Sequence, residues 1–288
     1  MRLSSLHTHS LFCDGRDDVE TLCLKAWEKG LDSIGFSSHA PITKKTGFFS
    51  EWHLREDRLE LYLKTVRAAR RRWEGRLRVY LGLEADYIPG LMGPADRDFQ
   101  DLGLDYIIAS VHYAIPPRGA PFTVDGSPEE FAAGIQEGFG GDGEALADHY
   151  WSTVEAMIRA GGFDILGHAD LIKKNNREDR WFSPESGAYR RRTEAAASLL
   201  AQSGTVAEIN TGGINRGALK ETYPSLPILR LFRKKRVPII ITSDAHRFED
   251  LDGHYGLARE TLLAAGYTHA VLFEGKKAQK PVWTPEPL

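Results

Sequence analysis

The sequence predicts an α/β fold in which a sheet of parallel strands is covered by helices. Short apolar runs rich in β-branched residues recur along the chain, and amphipathic stretches with helical spacing lie between them. Because parallel strands are buried on both faces, they read as nearly continuous apolar runs, as these do. In addition, a polar residue able to bind a metal follows one apolar run after another. Such residues lie where α/β barrels and open α/β sheets build their sites.

The apolar runs define seven predicted strands and a candidate for an eighth. They are Leu3–Leu6, Ser33–Phe36, Leu77–Leu83, Tyr106–Val111, Phe163–Leu166, Val206–Ile209, Val237–Thr242 and, as the eighth, Ala270–Phe273. Helices are predicted at VETLCLKAWEKG (Val19–Gly30) and TEAAASLLAQSG (Thr193–Gly204), which both end in glycine, as helices commonly do. Two long inserts, roughly Ala40–Asp57 and Ala114–Glu144, are expected to be loops over the site. No linker divides the chain, so residues 1–288 are expected to form one domain.

The composition is that of an ordinary globular protein, with 42% hydrophobic and 27% charged residues. The formal net charge of −3 argues against a general affinity for nucleic acid or for an anionic membrane. We find no N-terminal targeting signal and no apolar run that approaches the length of a membrane span. The two cysteines, Cys13 and Cys23, fit neither a disulfide framework nor a CxxC motif. A cytoplasmic location is therefore expected.

Side chains that can bind metals are concentrated at the predicted strand ends. In LHTHSLFCDG, His7 and His9 lie two residues apart on one face of a strand, and Asp14 follows in a turn. The later strand ends carry His39 in SSHAP, Glu84 in GLEAD, His112 in ASVHY, His168 in LGHAD, Asn210 in EINTGG, and Asp244 and His246 in TSDAH. A single buried histidine is usually a satisfied core group. Burying this much polarity without a ligand would be very costly, so the pattern predicts a metal site.

Imidazole and carboxylate ligands together favour zinc, manganese or iron. The histidines and carboxylates at these positions exceed what one ion needs, so we expect two or three divalent ions that share a bridging carboxylate. Clustered ions act as Lewis acids, lower the pKa of a bridging water and hold the oxygens of a phosphoryl group. Surface or packing roles are predicted for His53, His149, His254 and His269, although His53 lies in the first insert and could reach substrate.

The motifs HTH, CDG, H, GLE, SVH, GHAD and SDAH, in this order, resemble those of the PHP (polymerase and histidinol phosphatase) superfamily of phosphoesterases. The resemblance extends from Leu6 to about Gly266. HTHSLFCDG, GLEADYIPG, DYIIASVHY, GHADLIKK, and EINTGGIN followed by YPS are most similar to the histidinol-phosphate phosphatases. The resemblance implies a distorted (β/α)7 barrel of the TIM type, with a trinuclear metal site at the C-terminal ends of its strands. It further implies hydrolysis of L-histidinol phosphate to L-histidinol and phosphate, in histidine biosynthesis, by a metal-bridging hydroxide.

The same resemblance implies how the ions share their ligands, with Glu84 as the bridge between the first two. The implied groups are His7, His9, Glu84 and Asp244 for the first ion, Glu84, His112 and His168 for the second, and Asp14, His39 and His246 for the third. Among these residues, Glu84, Asp244 and His246 are expected to be catalytic through the ions that they hold.

Three residues next to strand ends are predicted to bind the substrate. Lys173 follows His168 in GHADLIKKNN, and both Asn210 and Arg216 lie in EINTGGINRG. A dianionic phosphate ester usually needs cationic or amide donors in addition to metals. The planar fork of Arg216 can bind phosphate through two hydrogen bonds, whereas a lysine acts as a point charge.

Two other functions fit the same motifs. A PHP-type phosphoesterase could act on a nucleotide or another small phosphate ester, because loops over the site choose the substrate. A nucleic-acid substrate would favour a basic, aromatic-lined groove, and the net charge argues against one. A metal-binding module without catalysis is the third alternative, and the complete ligand set argues against it. The expected partner is therefore a small phosphate ester, with neither nucleic acid nor membrane involved.

Overall fold

Seven parallel strands, hydrogen-bonded in chain order, form the central sheet of the computed structural model, which describes residues 2–48 and 50–288. These strands are β1 (Ser4–Ser5), β2 (Ser33–Phe36), β3 (Arg78–Asp86), β4 (Tyr106–Ser110), β7 (Ile165–Leu166), β8 (Val206–Asn210) and β9 (Ile239–Thr242). All seven were predicted from their apolar runs. The runs at β1 and β7 overestimate the strands, since only two residues of each belong to the sheet.

The sheet curls into a barrel because the chain beyond β1 meets the chain beyond β9. Thr8 and Ala245 form a parallel β-bridge. The amide of His9 donates to the carbonyl of Ala245 at 2.8 Å, and the amide of Ala245 donates to the carbonyl of His7 at 3.0 Å. The predicted fold class, a distorted (β/α)7 barrel, is confirmed. Closure brings the first and last ligand motifs of the sequence side by side.

Helices connect and cover the strands. They are α1 (Val19–Glu28), α2 (Leu59–Trp73), α3 (Arg97–Gln100), α4 (Pro128–Phe139), α5 (Gly143–Ala160), α6 (Gly187–Ser203), α7 (Gly212–Asn215), α8 (Leu226–Lys234) and α9 (Tyr255–Ala265). The two predicted helices are confirmed as α1 and α6. Asp18 caps α1 through the amide of Thr21, and α6 ends at Gly204 in the left-handed region. No helix in the described part of the chain combines the length and apolar character needed to cross a bilayer.

The two inserts differ from each other. Between residues 40 and 57 the described residues are irregular apart from short 3₁₀ turns, as expected of a loop. The second insert was wrongly predicted to be a loop, because it contains a small hairpin, β5 (Tyr113–Ala114) with β6 (Phe122–Thr123), followed by α4. Its helix signals are local: Ser127 caps the amide of Glu130, and Pro128 occupies the first turn. The high glycine content of this insert led to the prediction of a loop in spite of these helix signals.

The barrel interior changes from apolar to polar along its strands. On β4, Tyr106 and Ile108 belong to the buried interior cluster, and Ser110 follows on the same face. On β8, Val206 belongs to that cluster, and the buried Glu208 follows two residues later. Because successive inward side chains are two residues apart, each strand brings polar groups to one end of the barrel. The site therefore lies at the C-terminal ends of the strands.

A C-terminal hairpin covers the opposite end. Strands β10 (His269–Lys277) and β11 (Lys280–Pro287) pair antiparallel. The ring of Phe273 on β10 lies 5.7 Å from that of Tyr106 and 4.9 Å from that of Tyr80, at the starts of the barrel strands. The run Ala270–Phe273 is thus a strand, but it belongs to this hairpin and not to the parallel sheet. Its apolar face closes the barrel instead of extending it.

We predict that Gly82→Ala destabilises the protein, because a Cβ on Gly82 would lie 2.6 Å from the ring of Tyr106 inside the barrel. Overpacking of this kind costs about 1–3 kcal/mol of unfolding free energy. Gly256→Ala is the matched control, since its Cβ would have no neighbour within 4 Å, and alanine is favoured in a helix. Urea denaturation measures both variants. Equal stabilities would contradict this account of barrel packing.

Candidate metal centre

Glu84, near the end of β3, lies in the middle of a group of imidazoles and is 1% exposed. Its Oε2 lies 2.9 Å from Nδ1 of His39 and 3.2 Å from Nε2 of His7. Its Oε1 lies 2.9 Å from Nε2 of His168 and accepts a hydrogen bond from Ser110 Oγ at 2.6 Å. The two oxygens face different imidazoles, which is the arrangement expected of a bridging carboxylate.

Two further imidazoles surround the same carboxylate. Nε2 of His9 lies 3.5 Å from Oε2 of Glu84, and Nε2 of His112 lies 3.6 Å from Oε1. Both side chains are buried. The ligand-capable atoms of four different strand ends therefore converge on one point.

Asp244 is the second carboxylate of the cluster. Its Oδ1 lies 3.2 Å from Nε2 of His9, 3.7 Å from Nε2 of His7 and 3.5 Å from Nδ1 of His246. Its Oδ2 accepts a hydrogen bond from Nη2 of Arg216 at 2.9 Å. The residue has a φ of 51°, in the left-handed region that an aspartate adopts only at a cost. Barrel closure at the adjacent Ala245 holds it there.

Asp14 stands at the more exposed rim. Its Oδ2 lies 3.1 Å from Nε2 of His246, and its Oδ1 lies 3.7 Å from both Nδ1 of His9 and Nε2 of His39. Its side chain is 32% exposed, whereas that of His9 is fully buried. This part of the cluster is therefore the one that solvent and substrate can reach.

The ligand-capable atoms form four overlapping groups whose members lie within 4.8 Å of one another. The groups are His9, Asp14, His39 and His246; His7, Glu84 and His168; His7, His9 and Asp244; and His39, Glu84 and His112. Five atoms of these residues are buried and make no hydrogen bond of regular geometry among the described residues, although some of them lie close to one another: Nε2 of His7, Nε2 of His9, Nδ1 of His39, Oε2 of Glu84 and Nδ1 of His168. Buried polar atoms are rarely left so. This nitrogen and oxygen donor set fits divalent cations.

The ionisation of the cluster is coupled to cation binding. Burial alone would raise the pKa of Glu84, but the imidazoles of His7, His39 and His112 outweigh it and hold that pKa well below its usual range. Burial, with the neighbouring His246 and His39, lowers the pKa of His9 to about 3. Charged carboxylates and neutral imidazoles are the forms that bind metal, so Glu84 and His9 are in that form at neutral pH. The neighbouring carboxylates raise the pKa of His7, His39 and His112, so a metal that bound these imidazoles would displace their protons.

Glu208 on β8 orients two of the imidazole-bearing segments. Its Oε2 accepts a hydrogen bond from Nδ1 of His7 at 2.9 Å, and its Oε1 accepts one from the amide of His168 at 2.7 Å. The bond to Nδ1 leaves Nε2 of His7 facing Glu84. A carboxylate that fixes a histidine tautomer in this way is typical of metal sites.

Asp86 has the same role for His112. Its Oδ1 accepts from Nδ1 of His112 at 2.9 Å, and its Oδ2 accepts from Nε2 of His53 at 2.8 Å. Nδ1 of His53 in turn lies 2.6 Å from Ser50 Oγ. The first insert is thereby attached to the cluster through a buried chain of hydrogen bonds.

A cavity of about 350 Å³ opens onto the cluster. It is lined by Asp14, His39, Trp52, His112, Thr123, Asp125, Gly126, His168, Leu171, Lys174, Arg216, Asp244 and His246. Its volume suits a small molecule. A small molecule bound there would touch the imidazoles and carboxylates of the four groups, called the ligand cluster below, on one side. On the other side it would touch residues from both inserts.

Comparison with known proteins identifies the family. The PHP domain profile matches residues 5–212. The chain belongs to the PHP domain family. A Deinococcus radiodurans protein described as a probable histidinol-phosphatase is 30% identical to this PHP chain over 96% of its length and 98% of that protein.

Two solved structures share the fold. A Listeria monocytogenes protein provisionally assigned as a histidinol phosphatase has a TM-score of 0.78 at 23% identity, covering 88% of this chain and 99% of that one. The histidinol phosphate phosphatase of Lactococcus lactis, solved with zinc, L-histidinol and phosphate, has a TM-score of 0.63 at 18% identity, covering 96% and 99%. The family predicted from the motifs is confirmed.

The structure brings together all the residues predicted to be PHP metal ligands, and each of them joins at least one of the four groups. The groups differ in detail from the predicted ones. His9 lies with Asp14, His39 and His246, and His112 is grouped with His39 instead of His168. The division of ligands among individual ions stays a prediction.

The three predicted substrate-binding residues have different positions. Arg216 lines the cavity. Asn210 is fully buried outside the lining, where its amide donates to Glu208 Oε1 at 2.8 Å and its carbonyl oxygen accepts from the amide of Gly212 at 2.7 Å. These bonds favour a positioning role for Asn210, behind the cluster.

Lys173 also lies away from the cavity lining. Its ammonium group pairs with Asp170 at 3.2 Å and Glu221 at 2.9 Å, and it donates to the carbonyl of Thr222 at 2.7 Å. The next residue, Lys174, lines the cavity instead. In the 3₁₀ turn that carries both lysines, one residue of register decides which side chain reaches the site.

Sequence reasoning missed Glu208 and Asp86. Each lies two residues from a predicted site residue on the same face of its strand, a spacing that would have been a usable signal. The four histidines assigned other roles stay outside the ligand groups of the described residues. Among them, His53 is buried against Asp86, and His149 packs against Phe139 on the barrel exterior.

We predict that the purified protein carries more than one equivalent of zinc, manganese or iron, and that Glu84→Gln loses most of it. A neutral amide cannot bridge two cations as a carboxylate does. His149→Gln is the control, since His149 lies outside the ligand groups, and it should retain the metal. Elemental analysis of both variants, with activity measured on the same samples, is the test. Similar metal content in the two would refute the ligand assignment.

We also predict that Glu208→Gln lowers metal affinity about tenfold to a hundredfold, as loss of a carboxylate partner to a ligating histidine typically does. Glu155→Gln is the matched control, because Glu155 on α5 is also a buried glutamate but pairs with Arg159 of the same helix and Arg192 of α6. Competition with a fluorescent chelator measures the affinities. An unchanged affinity in Glu208→Gln would show that His7 needs no such partner.

Proposed function

We propose that this protein is a metal-dependent phosphatase that hydrolyses L-histidinol phosphate to L-histidinol and phosphate. The observation that carries the proposal is the buried imidazole and carboxylate cluster at the mouth of a small cavity. The near full-length similarity to a probable histidinol-phosphatase supports the substrate. The Lactococcus lactis enzyme, which shares this fold, was solved with zinc and with both products of that reaction.

Two or three zinc, manganese or iron ions are proposed to bind His7, His9, Asp14, His39, Glu84, His112, His168, Asp244 and His246. When bound, such ions lower the pKa of a water and polarise the phosphoryl oxygens. Glu84 would hold ions from both of its oxygens, which face His7 and His168. Asp244 and His246 would hold them from beside His9, which both of these residues contact. No side chain needs to be phosphorylated.

Arg216 is proposed to bind the phosphate group. Its side chain is 37% exposed and lines the cavity beside Asp244 and His246. Nη2 bonds to Oδ2 of Asp244 at 2.9 Å, and Nη1 lies 3.1 Å from Nδ1 of His246. A guanidinium has further N–H groups, which this arrangement can direct at a phosphate oxygen.

We further propose that residues 1–288 act as one domain located in the cytoplasm. The family match ends at residue 212, but the last barrel strand and the motif TSDAH lie beyond it and complete the ligand set. Both cysteines are free, as is usual in a reducing compartment.

A panel of phosphate esters tests the substrate proposal. Metal-loaded protein is assayed with L-histidinol phosphate, nucleoside monophosphates, 4-nitrophenyl phosphate and a short single-stranded oligonucleotide. We expect the highest kcat/KM for L-histidinol phosphate. A preference for nucleotides would favour the nucleotide phosphoesterase, and no turnover of any ester by metal-loaded protein would favour a non-catalytic module.

Arg216→Ala is predicted to lower kcat/KM for L-histidinol phosphate on the order of tenfold to a hundredfold, since a hydrogen bond to a charged group contributes about 1.5–3 kcal/mol. Metal content is measured on the same sample, because Arg216 also contacts Asp244. Arg72→Ala, an exposed arginine on α2, is the control. Unchanged kinetics in Arg216→Ala with full metal content would remove Arg216 from the phosphate site.

A further inference from the structure

The cavity has a second set of lining residues that the proposed hydrolysis does not use. Trp52 comes from the first insert, and Thr123, Asp125 and Gly126 come from the second. Lys174 comes from the 3₁₀ turn that follows β7. These residues face the same space as the ligand cluster. They are therefore placed to contact the part of a substrate that lies beyond its phosphate.

Asp125 is held in place by the neighbouring 3₁₀ turn. Lys174 Nζ donates to the main-chain carbonyl of Asp125 and lies 3.7 Å from its Oδ2. Nδ2 of Asn175 donates to the carbonyl of Gly126 at 3.1 Å, and the amide of Val124 donates to the carbonyl of His112 at 2.8 Å. The backbone on both sides of Asp125 is thus fixed relative to the ligand cluster.

The carboxylates that line the cavity divide into two kinds. Asp14 and Asp244 lie within the ligand groups, whereas Asp125 does not. Among the described residues that line the cavity, Asp125 is the one carboxylate left to face the ligand. Its side chain is 28% exposed, and the 3.7 Å contact with Lys174 is too long for a hydrogen bond. It can therefore accept hydrogen bonds from a bound molecule.

We propose that Asp125 binds the α-ammonium group of L-histidinol phosphate and so selects esters of amino alcohols. This inference rests on the proposed function. With the phosphate held at Arg216 and the ligand cluster, the alcohol half of the substrate occupies the remainder of the cavity. An ammonium group that leaves water there needs a charged acceptor, and Asp125 supplies one. The aromatic ring of Trp52, which lines the same cavity, suits the imidazole of the substrate.

The same carboxylate discriminates against other esters. A substrate whose alcohol half lacks a cation forms no ion pair with Asp125. When it binds, the charged carboxylate of Asp125 is left less well solvated. A nucleoside monophosphate is such a substrate. The second insert, which carries Asp125, would in this way determine which small ester the cluster hydrolyses.

The test compares two substrates in the metal-loaded enzyme: L-histidinol phosphate and its analogue without the amino group, 3-(imidazol-4-yl)propyl phosphate. Asp125→Asn is expected to lower kcat/KM about tenfold to a hundredfold for L-histidinol phosphate and to leave the analogue nearly unchanged. Glu129→Gln removes an exposed charge from the same insert and should change neither. Thermal midpoint and metal content are measured for each variant.

An equal loss on both substrates would overturn the proposal, because Asp125 would then act through Lys174 or the fold. No loss on either substrate would overturn it as well. If the wild-type enzyme hydrolyses L-histidinol phosphate well and Asp125→Asn does so equally well, only the role of Asp125 is refuted. Wild-type enzyme that turns over neither substrate refutes the proposed function itself. A weaker affinity of Asp125→Asn for L-histidinol in calorimetry would support the proposal independently of turnover.

Discussion

The carboxylate of Glu84, buried among imidazoles, is the constraint on which the rest of this structure depends. It lies at the centre of a barrel whose interior is apolar below it, where Tyr106 and Ile108 pack, and polar above it. A fully buried charge is stable only when countercharges or metals compensate for lost hydration. The carboxylates behind the histidines orient them by hydrogen bonds, and several buried nitrogen and oxygen atoms that face one another are left without a hydrogen bond, as suits a site for cations. The polar end of the barrel is therefore built around what it binds.

The barrel and its inserts contribute different residues to the site. Strand ends carry the metal-binding groups, which any phosphoesterase of this chemistry needs. The inserts carry Trp52 and Asp125, which face the cavity beside them. Each insert is attached to the barrel by polar contacts, a buried one between His53 and Asp86 in the first case and a partly buried one through Lys174 in the second. Substrate choice can thus change with the inserts while the ligand cluster stays the same.

The sequence predicted the strands and the ligand cluster because both depend on local patterns: apolar runs, and polar residues directly after them. It overlooked Glu208 and Asp86, because their spacing of two residues from Asn210 and Glu84 indicates a shared strand face but not which histidine each acid meets in the fold. The choice between Lys173 and Lys174 depends on the register of one 3₁₀ turn, in which Lys173 faces Glu221 and the carbonyl of Thr222, both distant from it in sequence. Helix α4 was missed because its own glycines resemble those of a loop.

Barrel closure between Thr8 and Ala245 has a consequence for how the protein is made. The ribosome releases the chain from its N-terminus, so His7 and His9 emerge at once, whereas Asp244 and His246 emerge more than two hundred residues later. Until then, the early histidines have no partner strand to close against. A nascent chain therefore cannot assemble the complete cluster until its last barrel strand has been synthesised. Of the four groups, the two that contain Asp244 or His246 are therefore the last whose residues are all synthesised.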